Sequence, residues 1–197
     1  GAFDFQTVPP EASVPEDFLP VTGWWEVVDE PAGEGVKPGS TPGSTPGSKV
    51  LQQSSDEMGL CFGLVVADGR VYGDAAAQVR FRLVSGERSV SAGMIVRAKD
   101  RKNYYAVVVD GVEQALSILK VERAETKVLA KAAIPSPRLK TWLSLAVVAK
   151  GASITATFGE ATVTAKDDAL SAGWWGLCTA QDATTMFDDL AITPAGK

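Results

Sequence analysis

The chain of 197 residues contains no histidine. That absence removes Ser-His-Asp hydrolysis, imidazole acid–base chemistry and histidine-ligated zinc together. Any catalysis would have to use carboxylates, Lys, Tyr or Ser/Thr. Retaining and inverting glycosidases need two carboxyl groups about 5–10 Å apart across the scissile bond. Residues two apart share a strand face, so an E-x-D-x-E run would supply such a set, and the chain has none. Cations are also sparse. The net charge is −5, and the one local concentration, Val96–Asn103, holds Asp100 among its Lys and Arg residues. Nucleic acid is therefore excluded as an expected partner, because neutralising phosphates needs a concentrated positive surface. No apolar run approaches the length of a membrane span.

Cysteine is nearly absent too. Cys61 and Cys178 each lie in an apolar, strand-like run, GLCFGLVV and WWGLCTA. A disulfide between them would close a very long loop, worth about 4–5 kcal/mol in the chain-entropy model. Two buried thiols acting as small apolar residues fit the same sequence, and spacing alone does not choose between them.

What the chain does have is short, alternating apolar segments. GWWEVVDE (from Gly23), AAAQVRFRLV (from Ala75) and KTWLSLAVVA (from Lys140) read as strands. In the second, Val79, Phe81 and Leu83 share one face, and Gln78, Arg80 and Arg82 the other. In the third, Trp142 and Ser144 share a face opposite Leu143 and Leu145. Trp24 and Trp25 are expected on opposite faces of the first. The stretch Ser91–Val121 predicts three strands joined by a polar turn at Lys99–Lys102 and by a turn at Asp110–Gly111. Residues 124–133 have helix-forming composition, but the strand periodicity around them favours a hairpin arm. Lys166–Ala172 is a polar crossover. About a dozen short strands with Gly, Asp and Asn turns, and no long helix, predict an all-β antiparallel sandwich or jelly roll.

Residues 1–22 read as an extended, proline-rich arm packed on a single domain spanning 23–197, with Phe3, Phe5 and Phe18 as its anchors. The P-G-S-T repeats of residues 31–49 cannot bury a core and are expected as an exposed loop.

The order of motifs resembles a known family. SAGMIVRAKDRKNYYAVVVDG is followed by TWLSLAV, the hairpin GASITATFGE, an Asp-Asp crossover, GWWGLCTAQD and MFDDLAI. This series is similar to the bacterial 3-keto-disaccharide hydrolase, or glycoside hydrolase family 16-like, family of concanavalin A-like jelly rolls. The resemblance implies a concanavalin A-like sandwich of two antiparallel sheets and a sugar-directed role. It also implies export. A start at Gly1 fits a chain trimmed of a leader, so a secreted or periplasmic location is expected.

The candidate ligand-binding residues are Arg97, Asn103, Tyr105, Glu113, Lys120 and Trp142, where aromatic and planar polar groups interrupt apolar strands. The same side chains could equally be satisfied structural partners. Trp25 and Trp175 are further aromatic candidates, with core packing the alternative for each. Asp110 and Glu113 form the nearest thing to a catalytic carboxylate pair, although they flank a turn. Asp188 and Asp189, adjacent and so expected on opposite faces, are candidates for a structural calcium site completed by a carbonyl of the arm. No other cofactor is expected. The functional expectation is a monomeric carbohydrate-binding module, with glycoside-hydrolase-like chemistry as the family's implication and a non-catalytic structural or protein-interaction module with no small ligand as the alternative.

Overall fold

The computed structural model describes residues 2–3, 5–6, 8, 14–30, 48–54, 63–86, 89–180 and 182–195. Among these there is no helix. Fifteen strands run in chain order: β1 Ala2–Phe3, β2 Phe18–Thr22, β3 Trp24–Asp29, β4 Lys49–Ser54, β5 Gly63–Ala67, β6 Ala75–Ser85, β7 Ser91–Asp100, β8 Asn103–Asp110, β9 Ala115–Glu122, β10 Glu125–Ala133, β11 Trp142–Lys150, β12 Ser153–Phe158, β13 Ala161–Lys166, β14 Trp174–Thr179 and β15 Thr184–Pro194.

They form two antiparallel sheets. The eight-stranded sheet has the order β13-β12-β11-β6-β15-β4-β3, with β1 pairing β15 beside β4. The seven-stranded sheet runs β10-β9-β8-β7-β14-β5-β2. The all-β jelly-roll sandwich read from the sequence is thus the observed fold. Residues 125–133, whose composition favours a helix, are strand β10 paired with β9, because the neighbouring ladder outweighs local propensity.

Alternation decides what lies between the sheets. Val79, Phe81 and Leu83 of β6, Leu145 and Val147 of β11, Tyr105, Val107 and Val109 of β8 and Trp175 and Leu177 of β14 all point into one core. The arm joins this core through Phe5 and Phe18, whose rings lie 5.5 Å apart. Gln6 fixes it further by donating to the Lys49 carbonyl and accepting from the Lys49 amide, both at 2.9 Å.

A second apolar cluster covers the outer face of the seven-stranded sheet: Leu64, Val66, Ile95, Tyr104, Ala106, Val108, Leu119, Val121 and Cys178. Cys61 lies outside the described residues, and so does most of the low-complexity segment, residues 31–47. The last two residues of that segment are described: Ser48 precedes β4, and Lys49 begins it.

Candidate functional site

Three of the residues singled out in the sequence meet at one end of the sandwich. A bulge in β7, with Arg97 in the left-handed region at φ 53°, breaks the plain strand expected there. It turns the Arg97 side chain into the molecule, where it is 1 % exposed. Its guanidinium donates to the carbonyls of Gly73 (3.1 Å), Gly151 (2.8 Å) and Leu170 (3.3 Å) and to Asp74 Oδ1 (3.0 Å). Tyr105 is fully buried, donates its hydroxyl to Asp167, and accepts from the Leu170 amide at 3.2 Å. Lys120 reaches the other Asp167 oxygen at 3.5 Å. Arg97, Tyr105 and Lys120 thus grip the crossover that begins at Asp167.

Burial and the hydrogen bond to Asp167 push the Tyr105 hydroxyl up to about 12. Burial alone would raise Asp167 as well. The Tyr105 hydroxyl, the Ala169 amide and Lys120 outweigh it and hold the carboxyl below the usual range.

Asn103 and the carboxylate pair serve turns. Asn103 donates to both Asp100 oxygens at 2.9 Å and accepts from the Arg123 amide at 3.1 Å. Asp110 Oδ1 accepts from the amides of Val112 (2.8 Å) and Glu113 (2.9 Å), and Glu113 pairs with Lys131 at 2.6 Å. Trp25 is core, with its indole donating to the Thr22 carbonyl at 3.0 Å, and Trp175 is fully buried.

Trp142 lies elsewhere, on the outer face of the eight-stranded sheet, and a different cluster gathers around it. Register places Trp142 beside Arg82, Arg82 beside Met186, and Met186 beside Gln52. The Arg80 guanidinium sits 5.0 Å from the centre of the Trp142 ring and binds Asp189 at 2.8 Å. Glu30, at the end of β3, accepts from the Trp142 indole at 2.7 Å and lies 3.4 Å from Arg82. Its other oxygen accepts from Ser48 at 3.1 Å.

Asp188 and Asp189 do not face opposite sides. A bulge in β15, with Asp189 at φ 51°, interrupts the alternation. Phe187 points into the core, Asp188 lies buried on the outer face opposite Arg80, and the Asp189 carboxylate turns to the same face to meet Arg80. Among the described residues no group of three or more Cys, Asp or Glu side chains is placed to hold a metal ion.

Glu30, Arg80 and Arg82 were not singled out as site residues. The signal for the two arginines was present, since alternation in AAAQVRFRLV puts both opposite Val79, Phe81 and Leu83. Nothing local in the sequence signals Glu30, which arrives from a strand distant in the sheet order.

The arrangement offers an aromatic ring, two guanidiniums and carboxylates on one partly open face. Such a mixture of apolar surface and convergent polar groups suits a polyhydroxylated ligand.

No protein-family model matches the chain. No curated protein sequence matches it either. Solved structures do. The carbohydrate binding module CBM66 from Bacillus subtilis aligns over 90 % of this chain and 95 % of its own, with a TM-score of 0.69 and 21 % identity. A protein of unknown function with a galectin-like fold, also from Bacillus subtilis, aligns over 88 % and 90 %, with a TM-score of 0.55 and 12 % identity. The GH43 BlXynB protein from Bacillus licheniformis aligns over 77 % of this chain but only 34 % of its own, with a TM-score of 0.52 and 15 % identity. At these identities the likeness is one of fold.

Proposed function

We propose that the chain is an exported, non-catalytic carbohydrate-binding jelly roll whose sugar site is the Trp142–Arg80–Arg82–Glu30 face. The observation that carries this reading is the cluster itself: a tryptophan with a guanidinium over its ring, with paired charges beside it, on the outside of a sheet rather than in the core. The fold shared with a carbohydrate binding module supports it. Kinship with the 3-keto-disaccharide hydrolase family belongs to the same proposal at the level of architecture. The nearest carboxylate pair in the sequence, Asp110 and Glu113, is occupied in a turn and a surface ion pair.

The test is a glycan array followed by calorimetry on wild type and Trp142→Ala. Wild type is expected to bind at least one neutral oligosaccharide, and Trp142→Ala to weaken it tenfold or more. Loss of one aromatic platform is worth on the order of 1–2 kcal/mol, which is that factor. Absence of any binding by wild type overturns the reading. The alternative then favoured is a structural or protein-interaction module with no small ligand.

A further inference from the structure

Arg82 is compensated less well than its burial demands. The residue is 8 % exposed, and its one side-chain partner among the described residues is Glu30 at 3.4 Å. Charge-assisted bonds of this type ordinarily close to about 2.7–2.9 Å. Arg80 and Asp189 reach that range, and so do Glu30 and the Trp142 indole. Glu30 therefore leans towards Trp142 and leaves Arg82 behind. Moreover Arg82 Nε is buried and has no hydrogen-bond partner. A buried guanidinium with an unmet donor is costly unless an acceptor oxygen comes to it.

We propose that Arg82 is the specificity residue of this face, and that the face selects neutral, hydroxyl-rich sugars and rejects uronic acids. This rests on the sugar-site reading above. The argument turns on what kind of oxygen can fill the place. Arg82 Nε is closed to solvent, so a ligand reaches it only as the loosely held Arg82 side chain shifts; a sugar hydroxyl then accepts from the guanidinium and donates to Glu30, while the Glu30–Trp142 bond stays intact. A carboxylate can only accept. It would satisfy Arg82 but confront Glu30, and the same face already carries Asp188 and the Arg80-bound Asp189. A fourth negative group there is opposed by the field of the other three.

Calorimetry on the full chain tests this with matched pairs: galactotetraose against tetragalacturonate, and xylotetraose against its glucuronic-acid-substituted form. The expected result is that the acidic member of a bound pair is at least tenfold weaker. Arg82→Gln should weaken the neutral ligand at least tenfold, and Glu30→Gln should narrow the gap by admitting the acid. Acidic ligands binding as tightly as neutral ones, with Trp142→Ala still abolishing both, overturn the selectivity and leave the site standing. Neutral binding untouched by Arg82→Gln overturns the role of Arg82. If Arg82→Gln lacks a cooperative thermal transition, Glu30→Gln decides alone, and unchanged discrimination in it overturns the proposal. No binding of either class removes site and selectivity together.

Discussion

Arg97 and Tyr105 show how a buried polar side chain can resemble a ligand contact when only its sequence position is known. Both interrupt apolar strands, and both are consumed by the Asp167–Leu170 crossover. This has a consequence for pH. The folded state holds the Asp167 carboxyl below its ordinary value, and the unfolded chain returns it to about 3.9. The stabilisation is therefore complete above the unfolded value and is lost as pH falls through the folded one. Tyr105, raised to about 12, works in the opposite direction: its contribution is complete below about 10 and is lost as pH rises towards 12. Asp167→Asn should lower the melting temperature at pH 7 and shrink the acid limb of the stability curve below about pH 4. Tyr105→Phe should shrink the alkaline limb above about pH 10. A pH-melting series on the three proteins checks both, and parallel curves at all pH values would remove this account of the crossover.

At the scale of elements, the alternation that exposes a strand in the sequence also tells which face is core, but not where a face is interrupted. The arrangement of β6 and β11 was legible in full, because Val79, Phe81, Leu83 and Leu145 leave no other choice of inner face. The bulges at Arg97 and Asp189 were not. Each depends on a non-glycine residue accepting a positive φ, at 53° and 51°, which only the surrounding sheet enforces. Those two bulges account for the inward turn of Arg97 and for both aspartates sharing one face. The glycines of β14 and β7 mark a similar tertiary demand. A Cβ at Gly176 would lie 1.9 Å from the Val65 carbonyl oxygen, so the neighbouring strand would have to move. At Gly151, in the β11–β12 turn, a Cβ meets nothing within 4 Å, and only the positive φ resists substitution. Gly176→Ala should therefore cost on the order of 3 kcal/mol or prevent folding, against about 1 kcal/mol for Gly151→Ala. Urea denaturation of the two variants measures the contrast, and equal losses would contradict the close packing of β14 on β5.

For the molecule as a whole, the question is whether a jelly roll proposed to bind sugar would also cut it. Hydrolysis asks for two carboxyl groups on either side of a bond, one of them with its pKa raised so that it can act as the acid. The charge distribution here runs the other way. Asp100 is lowered chiefly by the Lys102 amide and the Asn103 side chain, and Asp167 is lowered in spite of its burial. On the candidate face, Asp189 is committed to Arg80, and Glu30 to the Trp142 indole and Ser48. Asp188 accepts from the amide next to it. Carboxylate oxygens already engaged by cations and N–H donors suit fixing a ligand better than delivering a proton to a leaving group. Incubating the protein with the oligosaccharides it binds, and with 3-keto-disaccharides, should therefore release no new reducing ends and no monosaccharide above a protein-free control. Product chromatography over a day at pH 4–8 is a sufficient check. Turnover that disappears in Glu30→Gln or Asp189→Asn, while binding persists, would show that one of these ion pairs opens during the reaction and that the face is an active site.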